Sequence, residues 1–277
     1  MDSPTAATAP FPIGSVQGVA SRAWDLCLRK DPLGLLVFPF IIFLPVYAFL
    51  ALVPAVILDI DNLAEEGPLL GAMFGILPLV VVARVFGEAW ILVRCDEEAH
   101  GRTISWGDTF SRALARSWFL VVVMLVVYTA VQIGIPLLVI PGIIVWVLCS
   151  FANQAAVLGP GRLVASLRQS RDLVEHNASA WLGMVAYWVI VFLGLGMLVG
   201  IVRESLSPYL GGGDVSFMAT LVLGLPVQLC LLVFTACWTL FYRELEARRA
   251  IHLAAHPPHP PLSHPPVEPA AHASPPS

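Results

Sequence analysis

The sequence predicts an all-α fold, a polytopic membrane bundle of six transmembrane helices with amphipathic interfacial helices on its cytoplasmic side. Composition and uncharged runs predict it. Hydrophobic residues make up 58% of the 277 residues and charged residues only 12%, whereas soluble domains carry about 25% charged residues. The mean hydropathy is +0.82, and several uncharged runs reach the roughly 20 residues that cross a bilayer. This pattern excludes a water-soluble protein.

The first two spans are predicted from apolar runs on either side of an acidic segment, residues 59–68. Residues 33–58 hold no charge over 26 positions, which is longer than a hydrocarbon core requires. Three prolines in this run predict a kink. Residues 69–93 form the second span, which Arg84 and Glu88 interrupt.

The third apolar run is long enough for two spans. Residues 118–158 are uncharged over 41 positions, which as one helix would reach about 60 Å, twice the thickness of the core. Gly134, Pro136 and the pair Pro141-Gly142 break helices, so we expect a short hairpin there. Residues 181–202 and 215–242 predict spans five and six, joined by a glycine-rich turn.

The positions of lysine and arginine orient these spans, because cytoplasmic loops carry an excess of both. Thirteen of the fifteen basic residues fall on one side, Arg203 alone falls on the other, and Arg84 lies inside a span. We therefore expect a multi-pass protein of the cell membrane, of the bacterial inner membrane type, with both termini in the cytoplasm. The thirteen are Arg22, Arg29, Lys30, Arg94, Arg102, Arg112, Arg116, Arg162, Arg168, Arg171, Arg243, Arg248 and Arg249.

A threefold internal pattern precedes spans one, three and five. Residues 15–30, 105–116 and 161–175 each mix apolar and basic side chains, as helices lying in the membrane interface do. Ser105 with Asp108 predicts a capped helix start. These segments are either interfacial helices that contact membrane lipids or ordinary basic loops. Trp106, Trp118 and Trp181 favour the first reading, because tryptophan prefers the depth of the lipid headgroups.

Residues 15–251 are expected to form one membrane domain between two disordered ends, residues 1–14 and 252–277. The second end is rich in proline and histidine and would bury almost nothing. Without a cysteine or carboxylate cluster, its histidines predict no metal site.

Arg84 and Glu88 are the sharpest candidate site residues, because they lie one turn apart on the same face of span two. Counting back from Arg94, Glu88 lies about 9 Å and Arg84 about 15 Å below the cytoplasmic edge. An ionisable residue at that depth indicates function by default. Three readings stay open: a structural bridge, a snorkelling arginine with local water, or a pathway for a substrate or proton.

Asn153 and Gln154 of span four fall at a depth similar to that of Glu88 and predict a polar cluster in the cytoplasmic half of the bundle. Gln132 and Gln228 are the other long polar side chains within spans, and interhelical hydrogen bonds are the simpler expectation for them.

The sequence contains few enzyme signatures. The string Gly211-Gly212-Gly213-Asp214 matches the GxGD motif of intramembrane aspartyl proteases, but it falls in a predicted outside loop and indicates a flexible turn. The sequence holds no HExxH, GxSxG or phosphate-loop motif. The metal-ligand-rich segment 95–100 is contiguous and hydrophilic, which predicts a solvated loop. We therefore expect no enzyme, no catalytic residue, no metal and no cofactor, and we expect membrane lipids rather than nucleic acid as partners.

Three short segments carry a resemblance to a known family. They are Gly101-Arg102 with Ser105-Trp106, the hairpin Ile140-Pro141-Gly142-Ile143-Ile144, and Ala165-Ser166-Leu167-Arg168-Gln169-Ser170. With them, residues 33–249 resemble the glycerophosphoryl diester phosphodiesterase membrane-domain family and the YciC-like bacterial membrane proteins. The resemblance implies six spans. It departs at Leu158-Gly159-Pro160, where the family usually has an acidic residue.

The phosphodiesterase barrel that accompanies this domain in some members has no room in a chain already occupied by spans, so the resemblance does not imply hydrolysis. Two functions remain open. The first is a non-enzymatic protein that organises or senses the cytoplasmic leaflet, with Arg84 and Glu88 as internal contacts. The second is a small-molecule transporter or channel in which this pair lines a path and the broken spans one and four move. The sequence favours the first, because it lacks paired half-helix signatures in equivalent positions and has only one charged pair in six spans. A cavity that reaches Arg84 from water would favour the second.

Overall fold

A computed structural model describes residues 15–44, 46, 67–137, 139–159, 161–206 and 213–255. Within these ranges the regular structure is helical and contains no strand. Among the described residues, five helices are long and apolar enough to cross a membrane, which confirms the predicted class of multi-pass helical membrane protein. The five segments are Gly75–Ala99, Trp106–Gly134, Ile140–Leu158, Ala178–Val202 and Gly224–Ala255.

Nine helices follow one another along the described part of the chain. They are α1 (Val16–Asp25), α2 (Leu33–Leu44), α3 (Gly67–Ala99), α4 (Trp106–Leu137), α5 (Val139–Leu148), α6 (Ala152–Leu158), α7 (Leu163–His176), α8 (Ala178–Leu206) and α9 (Gly213–Ala255). A π-helical turn, Leu26–Lys30, extends α1, and another, Leu33–Val37, opens α2.

The predicted boundaries agree with these helices to different degrees. Apart from residue 46, the predicted first span beyond α2 lies outside the described residues, as do residues 1–14 and 256–277. The last helix, α9, continues through Ala255, four residues past the expected end of the membrane domain.

The hairpin predicted between spans three and four is confirmed. Helix α4 ends at Leu137 and α5 begins at Val139. The two backbones touch where the glycines lie, because a Cβ added to Gly134 would come within 2.7 Å of the Gly142 Cα. A side chain larger than hydrogen would push α4 and α5 apart at this point.

The three amphipathic segments fold in two different ways. The first and third form the separate helices α1 and α7, whereas residues 105–116 form the cytoplasmic start of α4 without a break. No glycine or proline occurs between residues 108 and 133, so the helix propagates into the span. The predicted cap is present, since Ser105 Oγ accepts a hydrogen bond of 3.1 Å from the Asp108 amide.

Two apolar clusters hold the bundle together. One surrounds α9 and includes buried side chains of α1, α2, α7 and α8, and the other lies between α3, α4 and α6. The buried face of α1, formed by Val19, Ala20 and Ala23, belongs to the first cluster. Helix α1 thus packs against other helices of the bundle through its apolar face.

Candidate functional site

The four candidate residues predicted from sequence line one cavity of about 470 Å³. Arg84 and Glu88 reach it from α3, and Asn153 and Gln154 reach it from α6. Side chains of α5, α8 and α9 complete most of its wall. The volume falls in the usual range for small-molecule sites.

Glu88 is the centre of the polar wall. Its side chain is 9% exposed, and its Oε1 accepts a hydrogen bond of 2.7 Å from Asn153 Nδ2. The Arg84 guanidinium lies 3.8 Å from Glu88 Oε2, which is an ion pair but longer than a hydrogen bond. The carboxylate is therefore held by α6 more tightly than by its neighbour on α3.

Arg84 is placed differently from its partner. Its side chain is 47% exposed, and its guanidinium lies over the ring of Phe43, 5.1 Å from the centroid. A cation over a ring face gains electrostatic attraction, and more so away from water. Arg84 thus lies on the open side of the cavity, with Glu88 on the buried side.

A break between α5 and α6 brings Asn153 and Gln154 beside Glu88. The break has no proline or glycine and could not be located from sequence, because its stabilising contacts come from distant helices. Ser170 Oγ of α7 accepts from the Phe151 amide at 3.0 Å and donates to the Leu148 carbonyl at 2.8 Å. These bonds satisfy backbone groups that a continuous helix would have paired internally.

Two tryptophans fix the same break from the other side. Trp181 Nε1 donates to Ser150 Oγ at 2.9 Å, and Trp238 Nε1 donates to the Ser150 carbonyl at 3.0 Å. Ser150 itself lines the cavity. The irregular backbone of span four is therefore part of the site.

The apolar wall of the cavity is aromatic. The Trp188 ring meets the Phe234 ring edge-on at 5.1 Å between centroids, and Phe234 stacks on Trp238 at 5.4 Å. Gln228, expected from sequence to bond between helices, also lines this wall, whereas Gln132 is exposed elsewhere. The aromatic wall could not be predicted from sequence, because Trp188, Phe234 and Trp238 lie on α8 and α9, which only the fold brings to Arg84 and Glu88.

Gln154 has an unsatisfied polar atom at the buried end of the cavity. The residue is 5% exposed, and its Oε1 has no hydrogen-bond partner among the described residues. Buried polar atoms nearly always have a partner. A ligand that donates a hydrogen bond to this oxygen would supply the partner that the described residues do not.

Five of the thirteen basic residues assigned to the cytoplasmic side pair with acidic residues elsewhere in the chain and form a second polar region, here called the ion-pair layer. Arg243 makes a bidentate bond to Asp96 at 2.5 and 2.9 Å, which joins α9 to α3. The expectation of a solvated loop at residues 95–100 is wrong, because α3 continues to Ala99, and Cys95 and Asp96 are buried. The interhelical pairs of the layer are Arg22–Glu244, Arg94–Asp31, Arg112–Glu97, Arg243–Asp96 and Arg249–Asp172.

Comparisons with protein-family models, with curated proteins and with solved structures found no match to this chain.

Proposed function

We propose that this protein is a non-enzymatic small-molecule transporter that binds an amphipathic molecule within the membrane. The observation that carries the proposal is the cavity, in which Arg84, Glu88, Asn153 and Gln154 meet an aromatic wall. A few convergent polar groups in a mostly apolar pocket are typical of small-molecule sites. The polar groups would hold one end of the ligand, and the rings would hold its apolar body.

The broken helix beside the cavity supports transport over a purely structural role. Transporters commonly build their binding sites near the midplane from discontinuous helices. The break at Cys149–Phe151 borders the cavity through Ser150. Its bonds to α7, α8 and α9 would let relative movement of these helices open the site to one side or the other.

Cysteine accessibility tests this proposal. Thr235 lines the cavity, and Thr235→Cys would be labelled by a charged, membrane-impermeant methanethiosulfonate reagent in vesicles. The parent protein is the control, because the neighbouring native Cys237 is fully buried. Transport predicts labelling from both faces of the membrane. Labelling from one face only, or from neither, would contradict it.

A second candidate function is organisation of the cytoplasmic leaflet through membrane lipids. Trp118 is 76% and Val164 of α7 is 68% exposed, and Arg162 and Arg168 are exposed beside Val164. Exposed tryptophan and basic residues suit headgroup depth. Spin labels along residues 163–175 would then show lipid accessibility with a helical period, and uniform exposure to water would exclude this function.

The topology is part of the proposal. We infer six spans in a threefold pattern, with α2 as the start of span one and both termini in the cytoplasm of a bacterial cell. The one-sided distribution of basic residues supports this orientation. The α4–α5 hairpin, which contains Ile140-Pro141-Gly142, supports the family resemblance. A reporter fused after His100 would report the cytoplasm, and an exterior signal would overturn the arrangement.

A further inference from the structure

The cavity wall presents two hydrogen-bond acceptors, Glu88 and Gln154, and one N–H donor, Trp188 Nε1, which has no partner among the described residues. Gln154 Oε1 has no partner among the described side chains and backbone groups. Glu88 accepts one hydrogen bond from Asn153, and Arg84 lies beyond hydrogen-bond distance from its other oxygen. Since a carboxylate can accept about four hydrogen bonds, Glu88 retains free acceptor capacity.

The aromatic wall adds a second preference for positive charge. Trp188, Phe192, Phe234 and Trp238 line the same cavity as Glu88. The Trp188 and Phe192 rings lie 5.6 Å apart, so several ring faces and edges meet in a small volume. Ring faces attract ammonium groups and also accommodate hydrocarbon.

Arg84 is the nearest cation, but it does not make the buried end of the cavity a suitable site for an anion. Arg84 has a half-exposed side chain on the open side of the cavity and is already engaged with Glu88 and with the ring of Phe43. An anion there could accept a hydrogen bond from Trp188 Nε1, but it would also face the full negative charge of the Glu88 carboxylate, which repels it.

We propose that the ligand of this cavity carries an ammonium group with N–H donors on an apolar body, the ammonium lying between Glu88 and Gln154 Oε1. This inference rests on the proposed function and names its ligand class. Two sources share the chemistry: a lipid with a primary-amine headgroup, and a free lipophilic amine. Both would place hydrocarbon against the aromatic wall.

The test compares three ten-carbon probes in uncharged maltoside micelles: decylamine, decanol and decanoate. Binding is measured by native mass spectrometry of the full chain. Decylamine should bind at least tenfold more tightly than the other two. Tighter binding of decanol or decanoate to the cavity would overturn the ammonium inference and leave the proposed function standing. If none of the three probes bound, this would contradict both the ammonium inference and the proposed transport function.

Variants show where the amine binds. Gln154→Leu and Glu88→Gln should each weaken decylamine binding at least fivefold, whereas Gln132→Leu, in a span but outside the cavity, should leave it unchanged. Melting temperatures of the same samples separate lost binding from lost folding, and the comparison of probes on the parent protein needs no variant. Decylamine binding that survives Gln154→Leu in a folded sample would overturn the proposed position.

A lipid comparison distinguishes the two sources of the amine. Phosphatidylethanolamine and phosphatidylglycerol with identical acyl chains differ in the ammonium group. Retention of the ethanolamine lipid over the glycerol lipid, sensitive to Gln154→Leu, supports a headgroup ligand. Equal retention of both lipids, with decylamine still bound, supports a free amine. Preferred retention of the glycerol lipid in the cavity would overturn the inference.

Discussion

Asn153 Nδ2 donates a hydrogen bond of 2.7 Å to Glu88 Oε1, and this bond joins the short helix α6 to the long span α3 inside the membrane-spanning part of the bundle. The bond exists because span four breaks at Cys149–Phe151, next to the point where α3 carries its buried carboxylate. An amide donor to a buried carboxylate is a charge-assisted bond, which is stronger than one between neutral groups.

Glu88→Gln should destabilise the protein more than Glu175→Gln. Glutamine keeps an oxygen for Asn153 but removes the charge opposite Arg84, which then lies in the membrane without that ion pair. We expect the free energy of unfolding to fall by roughly 1–3 kcal/mol, the usual effect of disrupting a buried polar contact. Thermal melting in detergent measures it.

Glu175 is the matched control because its side chain is 43% exposed and pairs only one turn away, with Arg171. Glu175→Gln should melt like the parent protein, since an exposed ion pair contributes little. Equal yields and equal melting of the two variants would contradict a structural role for the Glu88 carboxylate.

Arg243→Met should loosen the cytoplasmic end of the bundle. Asp96 is 9% exposed, and removal of its bidentate partner would leave a buried negative charge. Breaking such a pair costs roughly 3–5 kcal/mol. The double variant Asp96→Leu/Arg243→Met should recover most of this loss, because it removes both charges.

Arg171→Met serves as the control for the loss of an arginine, since Arg171 pairs with Glu175 at the surface. Its melting temperature should be unchanged. If the double variant were as unstable as Arg243→Met alone, the Asp96 contact would not be the cause of the loss.

Gly34→Ala should destabilise the junction of α2 and α3. A Cβ at this position would overlap Arg94 Nε and Asp31 Oδ2, which form an ion pair there. The Gly34 carbonyl also accepts a hydrogen bond of 2.8 Å from Trp90 Nε1. This bond restrains the backbone at Gly34 from shifting to make room for the added methyl group. Overpacking of this kind costs about 1–3 kcal/mol.

Gly194→Ala provides the comparison, because no atom lies within 4 Å of a Cβ added there. Alanine favours a helix over glycine, so this variant should be at least as stable as the parent. A stable Gly34→Ala variant in the same melting assay would mean that Arg94 and Asp31 separate at little cost.

Cys27 should resist alkylation at pH 8 in the folded protein. Burial raises the pKa of the Cys27 thiol from 9.0 to about 12, with smaller contributions from Cys237 and Asp31. The thiol is the form that does not react. Because the folded pKa lies above the unfolded one, this thiol stabilises the fold below pH 9, and that contribution is lost as the pH rises towards 12.

Peptide mass spectrometry after treatment with N-ethylmaleimide measures the labelled fraction at Cys27. Lys30→Cys provides an exposed thiol in the same turn and should be labelled at least tenfold faster. Equal labelling of the two positions in folded protein would show that the contact of α1 with α9 opens readily.

Several features could be predicted from sequence because each depends on residues close together in the chain. Residues 118–158 must hold two spans, because one helix of that length would exceed the thickness of the bilayer's hydrocarbon core. Gly134, Pro136 and Pro141 locate the turn between them. The Ser105–Asp108 cap follows from a three-residue spacing. The pairing of Arg84 with Glu88 follows from one helical turn.

Local patterns in the chain specify the class of protein, most of its helices and its four polar candidate residues. What surrounds those four residues depends on tertiary packing. Trp188 and Phe234 line the same cavity as Glu88 although they lie 100 and 146 residues after it in sequence. Ser170 of α7 holds open the break that no glycine or proline marks. Such contacts depend on which faces of distant helices meet, and helical periodicity specifies an apolar face without specifying its partner.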